Sequence, residues 1–128
     1  MSNRLEASIA GIRERDPRYE KNAYFFVLEA LDYTVRHYSA GRRDKHIGGR
    51  ELLAGIRDLA RDRYGLMARE VFRQWGITDT EDFGQVVFNL ISHGLLQRRP
   101  QDRLEDFENG YDFEREFETE YRMRVPWE

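Results

Sequence analysis

The sequence contains no cysteine, and that single absence removes a disulfide framework, thiolate zinc sites and a cysteine nucleophile. Proline is scarce, and the longest apolar run, Ala23 to Leu28, is far too short to span a bilayer. Residues 1–15 scatter Arg4, Glu6, Arg13, Glu14 and Arg15 among their apolar neighbours, whereas a signal peptide needs an uninterrupted apolar stretch. The expectation is a cytoplasmic protein with no membrane association.

Motifs that carry chemistry are missing too. Neither Ser39 nor Ser92 sits in a Gly-x-Ser-x-Gly elbow, and there is no phosphate-cradling Gly-x-x-x-x-Gly-Lys and no dinucleotide fingerprint. His37, His46 and His93 lack the spacing of a helical metal pair. His37 and His93 instead fall at predicted helix C-termini, where a cationic ring is favoured by the helix dipole. Asp102, Glu105, Asp106, Glu108 and Asp112 do not match the alternating oxygen ligands and central glycine of a calcium loop. No catalytic residue, metal or cofactor is expected.

What is present is enough to fold. At 128 residues one core and one domain, spanning 1–128, are expected. With 40% hydrophobic and 13% aromatic residues, burial can offset the entropy of ordering. The net charge of −3 conceals an asymmetry: residues 1–101 carry 17 basic and 14 acidic side chains, and residues 102–120 carry 2 and 9, a local charge of −7.

Periodicity reads as helix almost throughout. Leu5, Ile9 and Ile12 share a face of a helix that Asp16-Pro17 ends. Tyr24, Val27, Leu28, Leu31 and Val35, widened by Phe25 and Phe26, make a heavily packed second helix over 22–37. A glycine-rich basic loop follows. Leu52, Leu53, Ile56, Leu59 and Ala60 then mark a helix over 48–64 closed by Gly65, and Met67, Val71, Phe72 and Trp75 mark another over 66–75 closed by Gly76. Thr78 and Glu81 predict a capping box opening a helix that ends near His93 and Gly94.

Leu95 to Gln97 reads as a short wing-like extended segment, Leu104 with Phe107 as one or two helical turns, and Tyr111 to Tyr121 as a final amphipathic helix. The fold class is mainly α, a compact bundle of about five or six helices. Its element order is compatible with a helix-turn-helix, yet Asp79, Glu81 and Asp82 lead the third helix and would be repelled by DNA phosphate. The acidic segment 102–121 is too aromatic for a free tail. It should dock through Leu104, Phe107, Phe113, Phe117 and Tyr121 and leave Glu105, Glu108, Glu114, Glu116 and Glu118 in solvent.

The strings Ile12-x-x-x-Asp16-x-Arg18-Tyr19, Ala23-Tyr24-x-Phe26-Val27, Gly49-Arg50-Glu51-Leu52-Leu53, Trp75-Gly76-Ile77, Asp82-Phe83-Gly84 and Val87-Phe88-Asn89-Leu90, with Glu105-Asp106-Phe107 and Tyr111-Asp112-Phe113, form a set. That set resembles the Minf-type family of short bacterial proteins over about 12–121. The resemblance implies a bacterial family and brings no activity with it.

Two functional readings lead, and a small enzyme using Asp or Glu with Tyr stays open as a third class because carboxylate sites leave no short motif. The first is a non-enzymatic module that binds a protein partner through its charged surfaces. The alternative is an RNA- or ribosome-associated protein that sets Arg36, Arg42, Arg43, Lys45 and Arg50 against phosphates. Gly48-Gly49 opening a helix beside those side chains is the feature that would hold an anion. The aromatic residues read as core, because they fall at buried-face spacing and are not interleaved with Lys or Arg. Oligomeric state is left open.

Overall fold

The computed structural model describes residues 2–43, 46–97 and 103–119, with Ser2 and Asn3 described by backbone only. Among them lie five α-helices: α1 (Ser2–Arg15), α2 (Lys21–Tyr38), α3 (Gly49–Tyr64), α4 (Ala68–Gln74) and α5 (Thr80–Ser92). Tighter 3-10 turns at Gly65–Met67 and Leu104–Phe107, and a wide π turn at Arg115–Thr119, complete the framework, and no strand occurs among the described residues. The protein is a mainly α bundle.

Helix ends follow local chemistry. Gly65, Gly76 and Gly94 each take a positive φ after a helical segment. Gly76 is doubly constrained, because a Cβ there would lie 2.2 Å from the Arg18 carbonyl oxygen, where the α1–α2 turn presses on the α4–α5 turn. The cap of α5 sits one residue later than the sequence pattern suggested. Asp79 is the N-cap, and its side chain accepts from the Asp82 amide at 3.0 Å. Asp82 reaches back to accept from the Thr78 amide at 2.9 Å, and Glu81 is diverted to the Asn109 amide at 2.8 Å.

Three further expectations are corrected. Leu95–Gln97 is no extended wing: the amides of Leu95 and Leu96 both fold back onto the Leu90 carbonyl, at 2.9 and 3.4 Å. The helix expected over 66–75 begins with the 3-10 turn, which rotates Met67 out to 58% exposure and puts Ala68 in the core. The last helix starts later than Tyr111. Its helical residues begin at Phe113, where Asp112 accepts from the Arg115 amide at 3.0 Å, and Tyr121 lies outside the described residues.

The α2–α3 pair forms the centre. A Cβ on Gly55 would sit 1.7 Å from Thr34 Oγ1, so only glycine lets these helices approach this closely. Thr34 is buried, and its hydroxyl donates to Ala30 O at 2.6 Å. This crossing turns Ala23, Ala30 and Thr34 inward and leaves Leu31 and Val35 only partly covered, where the sequence pattern had placed them in the core.

At the other end of the bundle lies an aromatic cluster. The Phe72 ring is within 5.1–5.7 Å of Phe26, Trp75, Phe83, Phe113 and Phe117, in tilted or edge-on geometries. Phe113 and Phe117 belong to the acidic segment, and with Phe107 they are buried, whereas Leu104 stays exposed. Thr80 fastens that segment to α5: its hydroxyl donates to Phe107 O at 2.6 Å and accepts from the Gly110 amide at 3.0 Å. Glu116 is not left in solvent as expected. Arg61 donates to its carboxylate at 3.3 Å and to its carbonyl at 2.8 Å.

Candidate functional site

The basic residues singled out in the sequence do not converge. Arg36 pairs with Asp32 along α2 at 2.9 Å. Arg42 donates to Glu51 at 3.0 Å and to the His46 carbonyl at 3.3 Å. Glu51 also accepts from the Gly48 amide at 3.4 Å, so the start of α3, read as an anion cradle, already faces a carboxylate of its own chain. Arg43 is exposed, and Arg50 is exposed beside Leu53, Ala54, Arg57, Gly110 and Tyr111 around a depression of about 130 Å³. Lys45 lies outside the described residues.

The larger concavity is apolar. It opens between α2, α5 and the chain that enters α3, and its volume is about 200 Å³. Leu31 and Val35 of α2 face Val87, Phe88 and Ile91 of α5, while Ile47, Leu52, Leu96 and Phe107 close the ends. His46, Gln97, Arg103 and Asp106 add polar groups to the lining. Two glycines shape this wall. A Cβ on Gly49 would meet Asp106 Cβ at 2.8 Å and the Phe107 ring at 3.0 Å, and one on Gly84 would meet Phe107 Cβ at 2.8 Å. Their bareness lets the Leu104–Phe107 turn wedge between α3 and α5 and bound the cleft.

Sequence reasoning missed this cleft because each lining side chain sits at core spacing on its own helix. A usable signal existed in the width of the apolar face of α2. Eight large apolar or aromatic side chains from Tyr24 to Val35 are more than one helix contact covers.

The polar clusters are spoken for within the protein. Asp16 accepts from Arg18 at 2.7 and 2.6 Å and from Asn89 at 3.0 Å, while Asn89 also donates to the Tyr24 hydroxyl at 3.0 Å. Tyr19 donates to Asp82 at 2.6 Å. This network clips the α1–α2 turn to α5. The Arg18 guanidinium holds the Asp16 carboxyl well below the usual carboxylate range, and burial followed by the Asp82 contact pushes the Tyr19 phenol up. Burial likewise raises Tyr111, whose hydroxyl donates to Leu53 O at 2.8 Å.

His37 and His93 present Nδ1 to the carbonyls of Tyr33 and Asn89, four residues earlier, at 2.8 and 3.2 Å. Each ring thus works at its own helix end. Among the described residues no three His, Asp or Glu side chains gather as a metal site, and no described helix is long and apolar enough to cross a membrane.

The Asp16 network predicts a pH dependence. An unfolded aspartate ionises near about 3.9 and the folded one lower, so its stabilising effect is complete above that value and lost as pH falls through and below it. The melting temperature of the wild type should drop on acidification below about pH 4. Asp16→Asn should be less stable at neutral pH and lose less over the same interval. Parallel curves for the two proteins would exclude Asp16 as the linked group.

Comparison of the chain with protein-family models, with curated proteins and with solved structures finds no match.

Proposed function

We propose that this chain, a Minf-type protein by the resemblance above, is a non-enzymatic interaction module that seats an apolar side chain of a protein partner in the cleft between α2 and α5. The supporting observation is the cleft itself: about 200 Å³, walled by aliphatic and aromatic side chains from five segments. Size favours one anchoring side chain. A cavity of about 150 Å³ holds benzene, whereas pockets for cofactors and drug-sized ligands run from about 300 to 1,000 Å³.

The RNA reading draws less support, because Arg36 and Arg42 are already matched with carboxylates and the start of α3 faces Glu51. Indole and toluene serve as isolated mimics of the anchor. Titrated into methyl-labelled protein, they should shift the resonances of Leu31, Val35, Val87, Ile91 and Leu96, and Ile91→Trp should abolish those shifts by filling the space. Shifts absent with both probes, together with RNA-induced changes at Arg43 and Arg50, would replace this reading with the nucleic-acid one.

A further inference from the structure

We infer that the side chain seated in this cleft is a tryptophan, whose indole N–H donates to the Asp106 carboxylate. The inference rests on the cleft reading and adds the identity of the anchor. Its basis is a polar requirement that the lining leaves open. Asp106 is half-buried in that lining, against the start of α3, where the bareness of Gly49 makes room for it: a Cβ on that glycine would stand 2.8 Å from Asp106 Cβ. Among the described residues its carboxylate accepts no hydrogen bond and forms no ion pair, with Arg103 or with any other cation.

The other polar groups of the lining make no such demand: His46 already has a partner, and Gln97 and Arg103 are exposed enough to keep their water. Among the described residues no fully buried side-chain polar atom lacks a partner, so the Asp106 oxygens are open to water. A guest that covers them strips that water, and a carboxylate left bare under an apolar guest is costly. The guest must therefore bring a donor as well as an apolar body. Aliphatic side chains and phenylalanine bring none, and lysine and arginine bring more donors than one carboxylate in an otherwise apolar wall satisfies. Tryptophan and tyrosine join a large apolar body to a single N–H or O–H. Size decides between them: about 200 Å³ exceeds the roughly 150 Å³ that holds benzene, and the surplus suits the two-ring indole better than phenol. Phe88 and Phe107 in the lining supply ring neighbours for it.

The test uses the full chain and a matched pair of probes, indole and benzothiophene, which share size and shape and differ in the N–H. Followed through the methyl resonances of Leu31, Val87 and Ile91, indole should bind about tenfold more tightly than benzothiophene. Asp106→Ala should bring that ratio close to one with the melting temperature near that of the wild type. Should the variant melt lower, Asp106→Asn, which keeps the shape of the side chain, should narrow the same ratio. A short neutral peptide with a single Trp should follow indole and bind more tightly than its Phe and Tyr versions.

Equal binding of indole and benzothiophene to the wild type would overturn the tryptophan assignment and leave the cleft reading standing. An indole preference that persists undiminished in both Asp106 variants would overturn it as well, since the N–H would then be met by another group. Tighter binding of the Tyr peptide than of the Trp peptide would replace tryptophan with tyrosine. Failure of both probes and of every peptide to reach the cleft would remove the assignment and the cleft reading together.

Discussion

Phe72→Ala should lower the free energy of unfolding by about 3–5 kcal/mol, the range for deleting a buried phenyl ring from a close-packed core. Phe72 is fully buried on α4, a helix of only 7 residues that has little stability of its own. Its ring touches α2 through Phe26, the end of its own helix through Trp75, α5 through Phe83 and the acidic segment through Phe113 and Phe117. Removing it opens a cavity that four segments would have to close, and close packing makes such collapse incomplete. The urea midpoint should fall with the denaturant slope unchanged. Leu66→Ala, at an exposed position one turn before α4, is the control and should change stability by less than about 0.5 kcal/mol. A Phe72→Ala midpoint as close to wild type as that of the control would show that the aromatic cluster does not hold the bundle together.

The helices were legible because their signals are local. Ile9 and Ile12, or Leu52, Leu53 and Ile56, repeat at helical spacing, and glycines with positive φ follow the helical segments. Contacts between distant residues were not legible. Thr78 and Glu81 make a plausible cap on paper, but Asp82 is also within reach of Thr78, and the Asn109 amide, brought in by the Phe107 turn, draws Glu81 away. The Asp16, Arg18, Tyr19 and Asn89 clip joins residues 73 positions apart at its widest hydrogen bond, which periodicity cannot see. The same holds for Gly55 and Thr34, whose contact decides which face of α2 is buried.

The candidate site was the least legible feature for a related reason. A cleft is space left between elements, and Leu31, Val35, Val87 and Ile91 carry the same pattern whether a neighbour covers them or not. The basic residues were visible as a sequence cluster, but Glu51 and Asp32, which neutralise two of them, come from helices on either side of the loop. Several strings singled out in the sequence fall at these long-range contacts: Asp16, Arg18 and Tyr19 in the clip, and Gly49, Gly84 and Phe107 in the wall of the cleft.

Truncation after Pro100 should yield a product that aggregates or lacks cooperative unfolding. Phe107, Phe113 and Phe117 would be lost together, and burial of three such rings is worth about 5–9 kcal/mol, comparable with the whole stability of a small protein. Polar groups would be stranded as well. Thr80 would lose Phe107 O and the Gly110 amide while its hydroxyl faced newly exposed core, and Leu53 O would lose the Tyr111 hydroxyl. The charges contribute less: the Arg69 pairs with Glu114 and Glu118 are half exposed, so Glu114→Gln with Glu118→Gln should cost no more than about 1 kcal/mol. Size-exclusion chromatography and thermal melts separate the two effects, with the double Gln variant monomeric and near wild type and the truncated chain neither. A truncated chain that stays monomeric with an unchanged melting temperature would mean that the aromatic residues of the acidic end are not needed to close the core, and the end would then act as a detachable arm that reaches for a partner.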